Sequence, residues 1–371
     1  MCFNNFRKMI INKIKRRKTC SVIICLFLSL WMPVPVSGQD YRDILPGQKA
    51  GLPEDLYYRS GYRVQWWYFT GHLFDEKGNE FGYEITFFSA GVQKKKYRST
   101  FGLNTIYISH FAISDIARNR FFYSEDSDRG AFGFAGAEDS KLRVWVGDDI
   151  LEGTPEKMHI HAEDGDRWID LWLIPQKNFA LNGVDGYSRK SEESSRIASL
   201  YISGTSMKTT GMLHTENITF KVTGKSWFDR EISSRELGKA YEGWDWFALQ
   251  LDDNREVMLY RIRKKDGSID PFSSGTIVYA DGTTKILSKD EYTVTALNHW
   301  RSKRTGAKYP SLWDIEIPSE HLRLRVKPQI DDQELIVTST TLNTYWEGTC
   351  TVTGTVSGRA YIEMTGYERD K

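Results

Sequence analysis

The chain of 371 residues carries 50 basic and 49 acidic side chains, a formal net charge of +1, and its residues are 13% aromatic, with 12 tryptophans. Charges of both signs in nearly equal number leave no basic footprint for a phosphate backbone, which excludes nucleic acid as an expected partner. The aromatic content favours β-structure or an apolar pocket lined by rings.

Residues 1–38 have the pattern of a secretory signal peptide. Basic residues crowd the start, a largely apolar run extends from Val22 to Val34, and Val36-Ser37-Gly38 offers small residues at a cleavage point. The apolar run is shorter than the roughly 20 residues of a membrane-spanning helix. We therefore expect an exported protein, periplasmic or secreted. An uncleaved membrane anchor is the alternative.

Cysteine usage sets a second expectation for the exported chain. Cys2, Cys20 and Cys25 lie in the predicted signal peptide, so removal of that segment leaves only Cys350. A single cysteine cannot form an internal disulfide, and the fold must be stabilised by packing alone. The remaining chain is long enough for two domains, each with a sizeable core.

Residues 39–63 form a turn-rich polar lead-in. From Val64 onwards, short runs of β-branched and aromatic residues are separated by turn signals such as Glu76-Lys77-Gly78-Asn79 and Asp281-Gly282. Regular runs of this kind predict antiparallel hairpins. Only residues 188–200 could hold a short helix.

An internal repeat divides these strands into two halves. Trp66, Phe69, Leu73 and Asp75 recur as Trp244, Phe247, Leu251 and Asp253, always 178 positions later. Such a repeat indicates two units of one design. The sequence thus predicts an all-β fold of two tandem antiparallel barrel or sandwich domains, residues 64–231 and 232–371, packed together.

Six segments resemble a known family. They are VQWWYFTGHLFDEKGNEFGYEITFF (64–88), HFAISD (110–115), LNGVDGYSRK (181–190), SWFDRE (226–231), GWDWFALQLDD (243–253) and YWEGTCTVTG with YIEMTGY (345–354 and 361–367). Together they resemble the carotenoid 1,2-hydratase superfamily, and most closely its exported AttH-like branch, which is also labelled predicted secreted hydrolase. The resemblance implies a pair of lipocalin-like domains and covers nearly the whole chain after the signal peptide.

The densest group of candidate catalytic residues is the run Trp227-Phe228-Asp229-Arg230-Glu231 at the predicted domain junction. In a strand, Asp229 and Glu231 share one face and Arg230 lies on the other. Apolar walls around a carboxyl raise its pKa and suit it to acid catalysis. The alternative interpretation is a structural hinge of ion pairs with Arg230 and Arg235.

Aromatic residues of the two repeated hairpins, together with one from the run at the domain junction, are candidates for binding an apolar ligand. They are Trp66, Trp67, Tyr68, Trp227, Trp244, Trp246 and Tyr260.

Two histidines could also take part in proton transfer. His72 on the first hairpin could reach Glu84 on the returning strand, and both are candidate catalytic residues; the alternative is a hydrogen-bonded barrel histidine. His110 and Asp115 are interpreted as a strand end with its turn.

The sequence gives little support for a metal site, a cofactor site or a serine nucleophile. His159, His161 and Glu163 alternate along one strand, but no distant fourth ligand accompanies them, so we expect no metal and no cofactor. The sequence contains no G-x-S-x-G nucleophile elbow, and Ser188 is interpreted as part of a polar turn.

Two functions remain open. The first is a cofactor-free hydratase, lyase or isomerase that acts on a lipid or isoprenoid-like molecule by carboxylate acid–base chemistry. The second is a lipocalin-like carrier or envelope chaperone without catalytic activity, which would exchange its ligand with envelope transport components. In either case we expect a monomer.

Overall fold

The computed structural model describes residues 41–92, 103–341 and 343–367, so the predicted signal peptide lies outside the described residues. The strands are β1 Val64–Asp75, β2 Glu80–Gly91, β3 Thr105–Asp115, β4 Arg120–Asp128, β5 Ala135–Ala137, β6 Leu142–Val146, β7 Asp149–Thr154, β8 Lys157–Asp164, β9 Arg167–Pro175, β10 Ala180–Leu181, β11 Tyr187–Arg189, β12 Ala198–Thr215, β13 Ile218–Ser233, β14 Tyr241–Leu251, β15 Glu256–Lys264, β16 Ser274–Val278, β17 Thr284–Ser288, β18 Thr293–Arg301, β19 Lys308–Ile317, β20 Leu322–Pro328, β21 Glu334–Val337, β22 Asn343–Gly354 and β23 Gly358–Thr365. Short 3₁₀ turns cover Glu54–Leu56, Lys289–Glu291 and Pro318–Glu320. Within this part of the chain, no helix has the length and apolar character to cross a membrane.

The strands form two antiparallel sheets, one in each half of the chain. The first sheet has the order β4-β3-β2-β1-β13-β12-β9-β8-β7-β6-β5, and the second has the order β17-β16-β15-β14-β23-β22-β20-β19-β18. In each half the first strand pairs with the last strand, β1 with β13 and β14 with β23. The predicted all-β architecture of two tandem units is confirmed.

Two local expectations differ from the structure. β13 continues to Ser233, two residues past the predicted domain boundary, and the next strand begins at Tyr241. The short helix expected within residues 188–200 is absent from that described segment, because its ends form β11 and the start of β12, which pair with each other. Pairing with the long strand β12 therefore overrides whatever helical tendency this short segment has.

Strand alternation separates two barrel cores from a layer between the domains. On β1, Trp67 and Phe69 point into the first barrel core, whereas Tyr68 points outward to the second domain. The core of the second barrel is built around residues such as Phe247 and Trp313. Both faces of the central strands are therefore buried, one inside a barrel and one between the two domains.

Gly82 on β2 lies at a point where the domains approach each other closely. A β-carbon added at Gly82 would lie 2.0 Å from Cγ2 of Thr349 on β22. Thr349 also donates a hydrogen bond through Oγ1 to Gln333. The absence of a side chain at position 82 therefore allows the contact between the two sheets.

We expect Gly82→Ala to lower the free energy of unfolding by about 1–3 kcal/mol, because the added methyl group overpacks the interface. Thr349→Ser removes the methyl group that clashes and retains the hydroxyl bonded to Gln333. The double variant should therefore recover most of the loss in urea unfolding. Equal destabilisation of the single and double variants would show that the contact between these two residues is unimportant.

Candidate functional site

β13 carries three candidate residues into the layer between the domains. Trp227, Asp229 and Glu231 alternate on the outer face of this strand and are all buried. Arg230 points the opposite way, where its guanidinium lies 4.0 Å from the Trp67 ring and donates to the backbone oxygen of Tyr57. The predicted shared face of Asp229 and Glu231 is present in the structure.

Arg230 and Arg235 do not form the hinge of ion pairs that was the alternative interpretation. Arg230 bonds the side-chain oxygen of Gln65 and backbone oxygens. Arg235 forms a bidentate pair with Asp43 at 2.9 Å. The carboxyl of Asp229 instead accepts its hydrogen bonds from neutral groups.

Asp229 accepts three hydrogen bonds from uncharged donors. Tyr201 donates its hydroxyl proton at 2.6 Å, Ser203 donates at 2.5 Å and the Trp227 indole N–H donates at 2.7 Å. Burial raises the pKa of Asp229, and these three hydrogen bonds oppose it, which leaves the pKa at about 7. A carboxyl with this pKa can give and take a proton near neutral pH.

Tyr201 connects Asp229 to the second domain. The Trp246 indole N–H donates to the Tyr201 hydroxyl oxygen at 2.9 Å, and that hydroxyl in turn donates to Asp229. The Lys190 ammonium lies 4.5 Å from the centre of the Tyr201 ring and 3.5 Å from Glu231. We call Asp229 and its donors Tyr201, Ser203 and Trp227 the Asp229 centre.

A second group of carboxyls, which we call the glutamate cluster, lies in the same layer: Glu84 of the first domain, and Glu347 and Glu363 of the second. Glu347 and Glu363 are directly opposed on β22 and β23. Tyr68 of β1 donates its hydroxyl to Glu347 across the interface, and Thr86 donates to Glu84.

Burial and repulsion from neighbouring carboxylates raise the pKa of every carboxyl in the glutamate cluster. The pKa values of Glu84 and Glu347 lie well above the ordinary range, chiefly because both are desolvated and also because the charge of Glu363 is close to each. Glu363 is partly exposed, but desolvation still raises its pKa to about 7, against a hydrogen bond from Trp244. Burial therefore shifts each of these carboxyls towards its protonated form.

Six of the seven predicted ligand-binding rings lie in this layer. Tyr68, Trp227, Trp246 and Tyr260 are buried there, with the partly buried Trp66 and Trp244 packed against them. Trp67 is the exception, because strand alternation turns it into the core of the first barrel, where its indole N–H bonds the backbone oxygen of Leu56. Trp67 therefore lies apart from the other six rings.

His72 does not pair with Glu84. The β1–β2 register places His72 opposite Gly82 and Glu84 opposite Thr70. His72 instead contacts Glu80 at 3.0 Å and the backbone oxygen of Ala360 in the second domain at 3.0 Å. His72 is therefore an interface contact at the edge of the layer rather than a partner of Glu84.

His110 lies in the middle of β3 rather than at a strand end. Its ring nitrogens contact the hydroxyls of Tyr345 at 2.8 Å and Thr340 at 2.9 Å, both in the second domain. Burial lowers the pKa of His110 to about 3, so the ring stays neutral. Asp115 does end the strand, and it accepts a hydrogen bond from the backbone of Arg118 in the following turn.

The remaining candidates have structural partners. His159 and His161 contact Asp170 on the neighbouring strand, and His161 also contacts Glu163. In the described ranges, no group of three potential ligand side chains could hold a metal ion. Ser188 is buried in β11 rather than exposed in a polar turn, and its hydroxyl lies 3.0 Å from that of Tyr260.

An open cavity of about 640 Å³ adjoins one end of the aromatic layer. Residues that line it include Leu237, Tyr241, Trp244, Thr365 and Tyr367. Trp244 both borders the cavity and hydrogen-bonds Glu363, so this residue connects the cavity wall to the glutamate cluster. The cavity is wide enough for a small apolar molecule.

Sequence reasoning missed Tyr201, Glu347, Glu363 and Tyr361. One pattern could have indicated three of them. An aromatic residue is followed two positions later by an acid in Trp227/Asp229, Tyr345/Glu347 and Tyr361/Glu363. On a strand this spacing puts a ring and a carboxyl on one face.

The family model for AttH-like proteins matches residues 43–367 of the chain. The chain belongs to the AttH-like family. A solved AttH structure from Nitrosomonas europaea has 30% sequence identity to this AttH-like protein and a TM-score of 0.81, over 88% of this chain and 99% of the other. The resemblance stated from the sequence is confirmed.

Two more distant structures share the fold of this AttH-like protein. Kievitone hydratase from Nectria haematococca has 15% identity and a TM-score of 0.69, over 89% of this chain and 97% of that one. CghA, solved with Sch210972, has 11% identity and a TM-score of 0.54, over 90% and 98%. At these identities the likeness concerns the fold alone. No protein of curated function matches the chain.

Proposed function

We propose that this AttH-like protein is a cofactor-free acid–base enzyme that adds water to, removes water from, or isomerises an apolar small molecule between its two domains. The observation that carries the proposal is Asp229, a buried carboxyl with a pKa of about 7 among aromatic rings. Such a group can protonate a carbon–carbon double bond that water cannot reach freely.

The surroundings of Asp229 suit a developing positive charge. Trp227 and Trp246 lie edge to face with ring centres 6.1 Å apart, and Tyr68 and Trp246 have ring centres 5.2 Å apart. The faces of aromatic rings attract a cation. The cavity bordered by Trp244 gives a route for a substrate to this layer. The hydratase name of one structural neighbour supports the proposal through a shared fold.

The proposal is tested by identifying the ligand and following its oxygen. Native mass spectrometry of protein purified from its own host should detect a bound apolar molecule. Incubation of that molecule with the protein in ¹⁸O-labelled water should then give an alcohol that contains ¹⁸O, or a double-bond isomer. A bound molecule that stays chemically unchanged under these conditions would contradict the enzyme and favour the non-catalytic carrier.

A further inference from the structure

The glutamate cluster consists of residues other than those of the Asp229 centre, and the proposed function above gives it no role. Glu347 and Glu363 oppose each other on neighbouring antiparallel strands. Side chains in such a pair have β-carbons about 4.5–5.5 Å apart. Glu84 interacts electrostatically with both, so three carboxyls from two domains converge on one place.

Two buried polar atoms at this place point to a ligand. Glu84 Oε2 and the Tyr361 hydroxyl have no hydrogen-bond partner among the described residues. The side chains are 0% and 3% exposed. Tyr361 interacts electrostatically with Glu347 and Glu84, which places its hydroxyl at the cluster. Leaving a buried polar group unsatisfied lowers stability, and such groups are normally paired with water or a ligand.

The free atoms define what this ligand can be. The Tyr361 hydroxyl can donate a hydrogen bond, and a carboxyl of Glu84 can donate or accept one according to its protonation. An oxygen atom that bears a hydrogen can satisfy both, as in water or an alcohol. A metal ion does not fit, because these carboxyls form no grouping capable of holding one in the described part of the chain.

Tyr68 and Trp246 connect the cluster to the Asp229 centre. Tyr68 pairs with Asp229 along β1 and β13 and donates its hydroxyl to Glu347. Trp246 pairs with Glu363 along β14 and β23, and its indole bonds Tyr201. The two acidic groups therefore lie on either side of one pair of rings. A substrate between them would have Asp229 at one end and the cluster at the other.

We propose that the glutamate cluster and Tyr361 bind the oxygen atom, as water or as an alcohol hydroxyl, that is added or removed in the reaction at Asp229. This inference rests on the proposed function. For hydration, Asp229 gives its proton to one alkene carbon, and the water oxygen forms a C–O bond with the resulting cation. That oxygen then loses a proton to an ionised carboxylate of the cluster.

The net reaction consumes one alkene and one water molecule and forms one alcohol. Asp229 is left ionised and one cluster carboxyl is left protonated, and exchange with solvent restores both. Dehydration follows the same steps in reverse. The groups that face the cluster and influence this exchange are Tyr68, Tyr345, His72, Asp149, Asp229 and Glu231.

The test is a high-resolution crystal structure of the purified protein without added ligand. We expect an ordered oxygen atom within hydrogen-bond distance of both Glu84 and the Tyr361 hydroxyl. Tyr361→Phe should lose this atom. Tyr345→Phe, which removes a neighbouring hydroxyl that contacts His110, should retain it. A direct hydrogen bond between Glu84 and Tyr361, with no oxygen atom between them, would overturn the inference.

A second measurement covers variants that crystallise poorly. Infrared spectroscopy of the wild-type protein should show a C=O stretching band of protonated carboxyl that shifts between H₂O and D₂O. Tyr361→Phe should move it, because the bound oxygen is lost, and Tyr345→Phe should move it less. An unchanged band in Tyr361→Phe would count against the site. Neither measurement involves turnover, so failure of this inference is distinguishable from failure of the role of Asp229.

Discussion

Asp229→Asn is expected to lower the rate of conversion of the bound molecule by a factor of about 10² to 10⁴, the usual contribution of a positioned acid. Asparagine has nearly the same shape, so its amide oxygen can still accept from Ser203 and Trp227. Its amide nitrogen then faces Tyr201, whose hydroxyl can reorient. Ligand retention in native mass spectrometry should therefore be preserved while turnover is lost.

Asp149→Asn is the matched control for this result. Asp149 is also buried, with its pKa raised to about 6 by desolvation, but it bonds Ser109 and the backbone of Glu163 in the first domain. This variant should keep most of the turnover, because Asp149 acts on the site only through its charge interaction with Glu84. Full activity in Asp229→Asn, or equal losses in the two variants, would remove Asp229 from the chemistry.

The second prediction with a large expected effect is that the folded protein becomes less stable as the pH rises. Burial raises the pKa of Asp229 from 3.8 in the unfolded chain to about 7 in the folded protein. The folded protein therefore binds more protons between these values, so the free energy of unfolding falls as the pH rises from about 4 through 7. The difference between the two pKa values corresponds to roughly 4 kcal/mol for this one group.

Urea unfolding at pH 5 and pH 8 measures this effect. The wild-type protein should be less stable at pH 8, and Asp229→Asn should reduce the difference between the two pH values. Asp149→Asn should reduce it by less, because the pKa of Asp149 is raised only to about 6. Glu363 acts in the same direction as Asp229. Wild-type stability that increases from pH 5 to pH 8 would contradict these assignments.

The cost of burying carboxyls gives a reason to regard the interface as functional. Packing alone could join the two domains through the rings of Tyr68, Trp246 and Tyr361. Glu84, Asp229 and Glu347 oppose this packing whenever they ionise, because desolvation penalises their charged forms. Strongly perturbed carboxyls of this kind cluster at functional sites.

The sequence predicted the architecture because strand signals are local. Alternation and turn residues indicated the hairpins, and the recurrence of Trp66 and Phe69 as Trp244 and Phe247 indicated two halves of one design. The same alternation placed Asp229 and Glu231 on one face, with Arg230 on the other. The strand signals and the shared face depend only on residues a few positions apart along one strand, and the repeat can be found by comparing the sequence with itself.

The contacts of His72 and the position of Trp67 could not be predicted from the sequence, because both depend on how the strands pack. His72 lies opposite Gly82, with Glu80 and Glu84 each two positions away on β2, and its ring contacts Glu80 rather than Glu84. Strand register alone does not choose between these two diagonal neighbours. The face of β1 that Trp67 occupies was equally open in the sequence, because an aromatic residue suits a barrel core and an interface equally well.

Only the tertiary structure could assemble the candidate site. Glu84 comes from the first domain and Glu347 and Glu363 from the second, more than 250 positions later in the chain. Their pKa values are raised by burial in a layer that exists only when both sheets pack together. The sequence by itself determined the strands, the repeat and the family. The packing of one sheet against the other decided which acids meet, because desolvation and charge repulsion act through space and not along the chain.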